Sequence, residues 1–203
     1  MRPLTGIILH CTATKPDFLA GASTADRRAE VRRWHVEGNG WSDIGYHYLI
    51  DRDGSVVTGR AVETTGAHVR GHNTGTIGIS LFGGHGAAET DRFADHFTPE
   101  QDQSLRRLIA DLQQRFGPLP VSGHNDYAAK ACPGFSVAEW LVEPSSEEGS
   151  PAAADPGSTR IPAGMTVLDD SADLGTDLLA EVTRYRWRLA AIRDSAADAL
   201  DAR

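Results

Sequence analysis

The 203-residue chain has few cysteines and no long apolar segment. Its two cysteines, Cys11 and Cys132, cannot form a disulfide framework; one bridge between them stays open, but a reducing compartment suits them better. No stretch approaches the roughly 18 apolar residues of a membrane span, and the run at 7–9 is too short for the core of a signal peptide. We therefore expect synthesis in the cytoplasm without a signal peptide, and no membrane insertion.

The chain also lacks a long basic run, and its formal net charge is −8. Binding to nucleic-acid phosphates and adhesion to anionic membranes both depend on clustered Lys and Arg. The charge therefore argues against a nucleic-acid partner and favours a neutral or specifically recognised ligand. The contents of 40% hydrophobic and 24% charged residues are those of a globular protein.

Strand-like and helix-like segments alternate through residues 1–143. Apolar and β-branched runs predict strands at 6–10, 46–51, 55–58 and 77–82. Composition and apolar spacing predict helices at 24–37 and 98–116, the second with a capping box of Thr98 and Gln101. This alternation predicts an α/β domain with a mixed central β-sheet and flanking helices.

The composition changes after residue 143. Residues 144–164 contain four Pro, four Ser and three Gly, which predicts a flexible linker. Residues 165–203 predict a C-terminal amphipathic helix, with a heptad seam over 178–199. A lone helix of this length is marginal in water. We expect it either to self-associate or bind a partner protein, or to fold back on the domain as a surface helix.

Three residues have the chemistry of a zinc site. His10 ends a predicted strand, His124 follows a short apolar element, and Cys132 follows in the next loop. Two imidazoles and a thiolate leave a fourth position for water, which is the arrangement of a catalytic zinc. From spacing alone, Cys132 could equally be a buried thiol. Cys11 should point to the opposite face of its strand from His10, so we do not expect it to bind the metal.

Four segments resemble the phage lysozyme-type N-acetylmuramoyl-L-alanine amidases, the family that also includes the peptidoglycan recognition proteins. These segments are HCTATK (10–15), WHVEGNGWSDIGYHYLIDRDG (34–54), GAHVRGHNTGTIGISLFGG (66–84) and GHNDYAAKACPGF (123–135). They occur in the family's order and together place the resemblance over residues 4–143. The resemblance implies one zinc ion per chain, held by His10, His124 and Cys132. It also implies hydrolysis of the amide bond between N-acetylmuramic acid and L-alanine in bacterial peptidoglycan.

The resemblance further implies catalytic roles for Tyr46 and Lys130. An ammonium two residues before Cys132 can stabilise the oxyanion of a tetrahedral intermediate. A tyrosine that opens a strand can orient water or pass a proton. The sequence does not show which of the two handles the proton. Without the resemblance, an aromatic strand residue and a solvated loop charge would be the plainer interpretations.

Further residues are expected beside the substrate. His68 and Asn73 lie in one loop and are expected as substrate contacts or as groups behind the metal ligands. Trp41, in a cluster with Trp34 and His35, could line the substrate groove by aromatic contact. These aromatic residues could equally belong to the core.

The absence of a signal peptide favours a phage or prophage endolysin, which acts on the cell wall after release. A bacterial enzyme of wall turnover would use the same chemistry. The alternative from another class is a peptidoglycan-binding module without catalysis. Family members that only bind usually lack the cysteine ligand, so Cys132, together with Tyr46 and Lys130, argues against this alternative. The segment from residue 144 onward does not match the compact phage enzymes, and the resemblance implies nothing about its role.

Overall fold

A five-stranded mixed sheet is the framework of the computed structural model, which describes residues 2–144. The strands are β1 (Gly6–Cys11), β2 (Tyr48–Ile50), β3 (Val56–Thr58), β4 (Thr76–Leu81) and β5 (Val121–Gly123). Their order is β3-β2-β4-β1-β5, and every neighbouring pair is parallel except the antiparallel pair β2-β3. The predicted mixed α/β fold is confirmed. The predicted linker, apart from its first residue, and the predicted C-terminal helix lie outside the described residues.

Four helices accompany this sheet in the described part of the chain. They are α1 (Thr24–Arg33), α2 (Phe93–His96), α3 (Pro99–Phe116) and α4 (Val137–Trp140). The capping box of α3 is confirmed, because the side chains of Thr98 and Gln101 each accept from the other's backbone N–H at 3.2 Å. The helices α2 and α4 were not predicted, since four residues are too few to show a helical period. Among residues 2–144 every helix is too short or too polar to cross a bilayer.

The two faces of the sheet bury different apolar clusters. The larger cluster packs α3 against the sheet, and it includes Ile7, Leu9, Ile77, Ile79, Leu105, Ile109 and Leu112. The smaller cluster includes Val31, Ile44, Leu49 and Phe82. Side chains alternate along a strand, so His10 lies on the face opposite to Leu9 and Cys11. The polar residues described below gather on this second face.

Two predicted boundaries are wrong by two residues or more, and several others by one. The helix predicted over 24–37 ends at Arg33, and a π-helical turn follows over Trp34–Gly38. The wider turn forms because the N–H of Asn39 donates to the carbonyl of Trp34, five residues earlier, at 3.1 Å. The strand predicted from residue 46 begins at Tyr48. Tyr46 instead lies in the approach to the strand, where its carbonyl accepts from the N–H of Arg60 at 2.8 Å.

Candidate active site

His10, His124 and Cys132 come together at the carboxyl ends of β1 and β5. His10 projects from β1, His124 follows β5 directly, and Cys132 comes from the segment before α4. One nitrogen or sulfur atom from each residue lies within 4.8 Å of the other two. Sγ of Cys132 lies 3.7 Å from Nδ1 of His10, and the ring centroids of His10 and His124 are 4.8 Å apart. The fold thus assembles the three residues that the sequence singled out.

The donor set fits a tetrahedral zinc ion. Zinc binds imidazole nitrogen at about 2.0–2.1 Å and thiolate at about 2.3 Å, so its donors lie roughly 3.3–3.8 Å apart. The 3.7 Å between Sγ of Cys132 and Nδ1 of His10 already has this value. Two nitrogens and one sulfur leave the fourth position open, as in catalytic zinc sites. His10 is buried while His124 and Cys132 are partly exposed, so solvent reaches the cluster from their side.

The imidazoles of the cluster are held neutral. Burial lowers the pKa of His10 well below its ordinary value, and the neighbouring histidines and Lys130 lower it further. Burial and the charge of Lys130 also lower the pKa of His124. Metal ions bind the neutral imidazole, so both side chains are ready to act as ligands at neutral pH.

Cys132 is held by the end of β1. The backbone N–H of Cys11 donates to Sγ of Cys132 at 3.3 Å. Hydrogen bonding with the thiol of Cys11, together with burial, raises the pKa of the Cys132 thiol. The thiol therefore keeps its proton until a cation displaces it, which is the usual coupling between metal binding and proton release.

Tyr46 and Lys130 lie beside the cluster. The ring centroid of Tyr46 is 5.2 Å from that of His10. Burial, followed by the nearby Cys132, raises the pKa of the Tyr46 phenol, so the hydroxyl keeps its proton at neutral pH. Lys130 is exposed, and its charge is close enough to depress the pKa of His10 and of His124. A hydroxyl donor and an ammonium group are therefore both available next to the three donors.

A row of aromatic rings leads away from His10. The centroid of His35 lies 5.2 Å from Tyr46 and 4.8 Å from Trp41. Trp41 is 37% exposed, whereas Trp34 packs against the smaller apolar cluster. The structure thus distinguishes the two tryptophans. Trp34 belongs to the core, and Trp41 lies at the surface at the end of the row.

The loop before β4 places His68 behind His10. His68 is only 7% exposed, and its Nδ1 lies 3.0 Å from Nε2 of His10. The side-chain oxygen of Asn73 accepts from the backbone N–H groups of His68 and Val69, at 2.7 and 2.8 Å. Of the two predicted roles, this position favours for His68 a group behind the proposed ligands. Asn73 has neither contact, and its side chain instead holds the loop through the two backbone N–H groups.

The sequence profile of the N-acetylmuramoyl-L-alanine amidase family matches residues 1–135, a range that contains all three donors. The chain belongs to this family. The amidase is 41% identical over 134 residues to the endolysin of Enterobacteria phage T3, covering 66% of the chain and 83% of that endolysin. It is 40% identical over the same length, with the same coverage, to the endolysin of Escherichia phage T7. The amidase is therefore an enzyme of the class that hydrolyses peptidoglycan.

Solved structures with the same fold include enzymes and recognition proteins. The amidase LysC from Clostridium intestinale is 26% identical with a TM-score of 0.54, covering 68% of this chain and 83% of LysC. The ectodomain complex of peptidoglycan recognition proteins LCa and LCx has the same identity and TM-score, over 66% of this chain and 78% of that chain. That complex was solved with tracheal cytotoxin bound.

One feature beside the amidase site was missed in the sequence. Tyr127 is 40% exposed, and its ring centroid lies 4.5 Å from that of His72. Its hydroxyl is 2.9 Å from Oγ of Ser122 in β5, the strand that precedes His124. Tyr127 and His72 lie in loops far apart in the sequence, and no sequence motif joins them. A single sequence therefore gives no indication that their rings are in contact.

Proposed function

We propose that this amidase hydrolyses the amide bond between N-acetylmuramic acid and L-alanine, using one zinc ion held by His10, His124 and Cys132. The convergence of two imidazoles and one thiol within 4.8 Å carries the proposal. The family match over residues 1–135 supports the substrate class.

The surrounding residues have chemistry suited to this reaction. When bound, zinc would polarise the scissile carbonyl and lower the pKa of a water toward ~7. The ammonium of Lys130 stabilises the negative charge that develops on the carbonyl oxygen. Tyr46 is protonated at neutral pH, so it orients the attacking water or passes a proton to the departing amine. The pKa shifts of His10 and His124 keep both ligands in the metal-binding form.

The substrate is placed along the aromatic row. Trp41 is 37% exposed and packs on His35, which in turn contacts Tyr46, so its indole suits contact with a sugar ring or with the stem peptide. His68 and Asn73 shape the loop behind His10. In a relative with the same fold, the bound tracheal cytotoxin is described as monomeric diaminopimelic acid-type peptidoglycan.

The biological role that we propose is that of an endolysin which acts on the cell wall after release. The two phage endolysins support this role, because the match covers 83% of their length. Self-association or partner binding through residues 178–199 stays a prediction, since those residues lie outside the described part of the chain.

Digestion of purified peptidoglycan tests the proposal. The soluble products are identified by mass spectrometry, with and without a zinc chelator. We expect free stem peptides with N-terminal alanine, lost on chelation and restored by added zinc. Products that persist after complete removal of zinc would contradict metal dependence. A folded, zinc-loaded protein that sediments with peptidoglycan but cleaves nothing would favour the binding module.

A further inference from the structure

A chain of hydrogen-bonding groups runs behind His10, away from the proposed metal position. Nε2 of His10 lies 3.0 Å from Nδ1 of His68, and Nε2 of His68 lies 3.4 Å from Oγ1 of Thr76. Oγ1 of Thr76 in turn lies 2.5 Å from the carbonyl oxygen of His72. The three side chains in this hydrogen-bonded series are buried, with exposures of 1% for His10, 7% for His68 and 8% for Thr76.

The carbonyl oxygen of His72, at the end of this series, determines which group donates in each hydrogen bond. A carbonyl oxygen only accepts, so the Thr76 hydroxyl gives its single proton to His72. The hydroxyl oxygen can then only accept from His68, so Nε2 of His68 carries a proton. The ring of His68 is 7% exposed and lies against the imidazoles of His10 and His47, and its hydrogen-bond partners in the described residues include no carboxylate. A charge there would be buried and unpaired, so the ring is neutral and carries only that proton. Nδ1 of His68 is therefore an acceptor.

The acceptor at His68 sets the tautomer of His10. Nε2 of His10 must donate to Nδ1 of His68, because otherwise two lone pairs would face each other at 3.0 Å. A neutral His10 then has its free lone pair on Nδ1. This is the nitrogen that lies 3.7 Å from Sγ of Cys132. The lone pair of His10 thus belongs to the atom that faces the other donors.

Two glycines make room for the ring of His68. A Cβ on Gly66 would lie 2.6 Å from Cδ2 of His68, and a Cβ on Gly78 would lie 2.6 Å from its Cγ. Real Cβ atoms do not approach other atoms so closely, so the slot exists only because both positions are glycine. The ring stands edge-on to His10, with centroids 5.1 Å apart and planes at 84°.

We propose that His68 is a positioning residue for the metal site: it holds His10 in the Nε2-protonated tautomer and aims Nδ1 at the cation. This inference rests on the proposed zinc site. A partner behind a ligating histidine fixes the ring and raises its basicity, and its loss typically costs about 10- to 100-fold in metal affinity.

Three variants of the full-length protein separate this role from simple packing. His68→Leu removes the acceptor at similar size, whereas His68→Asn places an amide oxygen near the position of Nδ1. With zinc affinity measured by chelator competition, His68→Leu should weaken binding about 10- to 100-fold, and His68→Asn should restore part of it. Thr76→Val removes the acceptor for His68 and should weaken zinc binding less. An unchanged zinc affinity in folded His68→Leu would overturn the proposal.

A substitution at a second buried histidine, His47, controls for loss of affinity that comes only from loss of stability. His47 lines the same slot, since a Cβ on Gly66 would lie 2.7 Å from its Cε1, but it is not bonded to His10. His47→Leu should therefore lower thermal stability with little change in zinc affinity. An equal loss of affinity in both leucine variants would show that His68 acts only through packing.

Long-range ¹H–¹⁵N NMR of the imidazoles in the zinc-loaded protein reads the tautomer directly. We expect a protonated Nε2 and a metal-bound Nδ1 for His10. A metal-bound Nε2 would overturn the inference while leaving the zinc site intact. Failure of the unmodified protein to bind zinc would instead overturn the proposed site, and the role of His68 with it.

Discussion

The backbone N–H of Cys11 donates to Sγ of Cys132 at 3.3 Å, while the neighbouring His10 turns its side chain toward the same sulfur. Two consecutive residues of β1 therefore position two donors, one through its ring and the other through its main chain. The thiol of Cys11 also hydrogen-bonds with the thiol of Cys132. It packs beside Gly84, beyond the end of β4, where an added Cβ would lie 2.8 Å from its Sγ. Cys11 thus contacts Cys132 through both its main chain and its thiol.

Replacing each cysteine in turn distinguishes the proposed ligand from its neighbour. We expect Cys132→Ala to lose stoichiometric zinc, because a thiolate ligand is removed. Cys11→Ala should keep its zinc, because the donating N–H remains. Metal content after desalting measures both. Stoichiometric zinc in folded Cys132→Ala would refute its assignment as a ligand.

Lys130→Ala should keep zinc and lose turnover. Removal of one group that stabilises an oxyanion typically costs about 100- to 1000-fold in kcat, and Lys130 is exposed, so the fold should not suffer. Lys130→Arg keeps a cation and should retain part of the activity. Steady-state kinetics on soluble muropeptides, with zinc content as the control, measures the effect. Unchanged kcat in Lys130→Ala would remove this residue from the mechanism.

Gln101→Glu should destabilise the fold. The buried Nε2 of Gln101 donates to the carbonyls of Ile50 and Phe82 at 3.1 and 2.9 Å. A carboxylate at that position offers no donor, so both carbonyls lose a partner, and the free energy of unfolding should fall by roughly 2–4 kcal/mol. Urea denaturation measures the loss. Gln114→Glu, exposed on the same helix, should stay within about 0.5 kcal/mol, and equal effects would contradict the assignment.

His47 should make the protein less stable in acid. Its Nδ1 accepts from the N–H of Gly78 at 2.9 Å, and burial lowers its pKa from 6.5 to about 4. Between these values the unfolded chain binds a proton that the folded state does not. The contribution to stability therefore falls as pH drops, by about 1.4 kcal/mol per pH unit.

His47→Asn tests the sign and size of this effect. The variant removes the titrating ring and can keep an acceptor for Gly78. Under equal zinc loading, the free energy of unfolding of the unmodified protein should fall more steeply than that of the variant between about pH 6.5 and pH 4. Parallel pH profiles would contradict the prediction.

A chain ending at Glu143 should keep the hydrolytic centre, whereas one ending at Phe135 should not fold stably. The family match stops at residue 135, but α4 supplies Trp140, which is 2% exposed. The indole Nε1 of Trp140 donates to Asp102 at 2.6 Å, and the guanidinium of Arg106 lies 4.4 Å from the ring. Loss of a buried tryptophan typically costs about 3–5 kcal/mol. Zinc content and thermal denaturation of the two shortened chains measure these outcomes.

Size-exclusion chromatography of the same Glu143-terminated chain addresses residues 178–199. If the heptad seam mediates self-association, the full-length protein should elute as an oligomer and the shortened chain as a monomer. Identical monomeric elution would count against self-association.

The α/β framework could be predicted because buried strands and the amphipathic α3 leave periodic apolar patterns. The His10, His124 and Cys132 cluster could be predicted because each residue lies in a segment that resembles the family. The end of α1 could not, because the π-helical turn depends on one hydrogen bond to Trp34 rather than on residue periodicity.

The contacts around His10 could not be predicted from the sequence. The contact with His68 joins residues 58 positions apart, and its direction depends on the hydroxyl of Thr76. A single sequence shows neither the distance between the two imidazoles nor which of their nitrogens carries the proton. The resemblance could place His68 near the site, but only the fold separates a group behind a ligand from one that faces the substrate.

The slot formed by Gly66 and Gly78 also restricts which substitutions homologous proteins can accept at these two positions. Every amino acid other than glycine has a Cβ, so any coding change at either position pushes on the imidazole behind the ligand. Glycine weakens a strand, which makes Gly78 an unfavourable choice for β4 on its own. We therefore expect purifying selection at both codons in homologues that keep His68, and drift at position 78 once that histidine is lost, whereas Gly66 stays constrained by His47 as well.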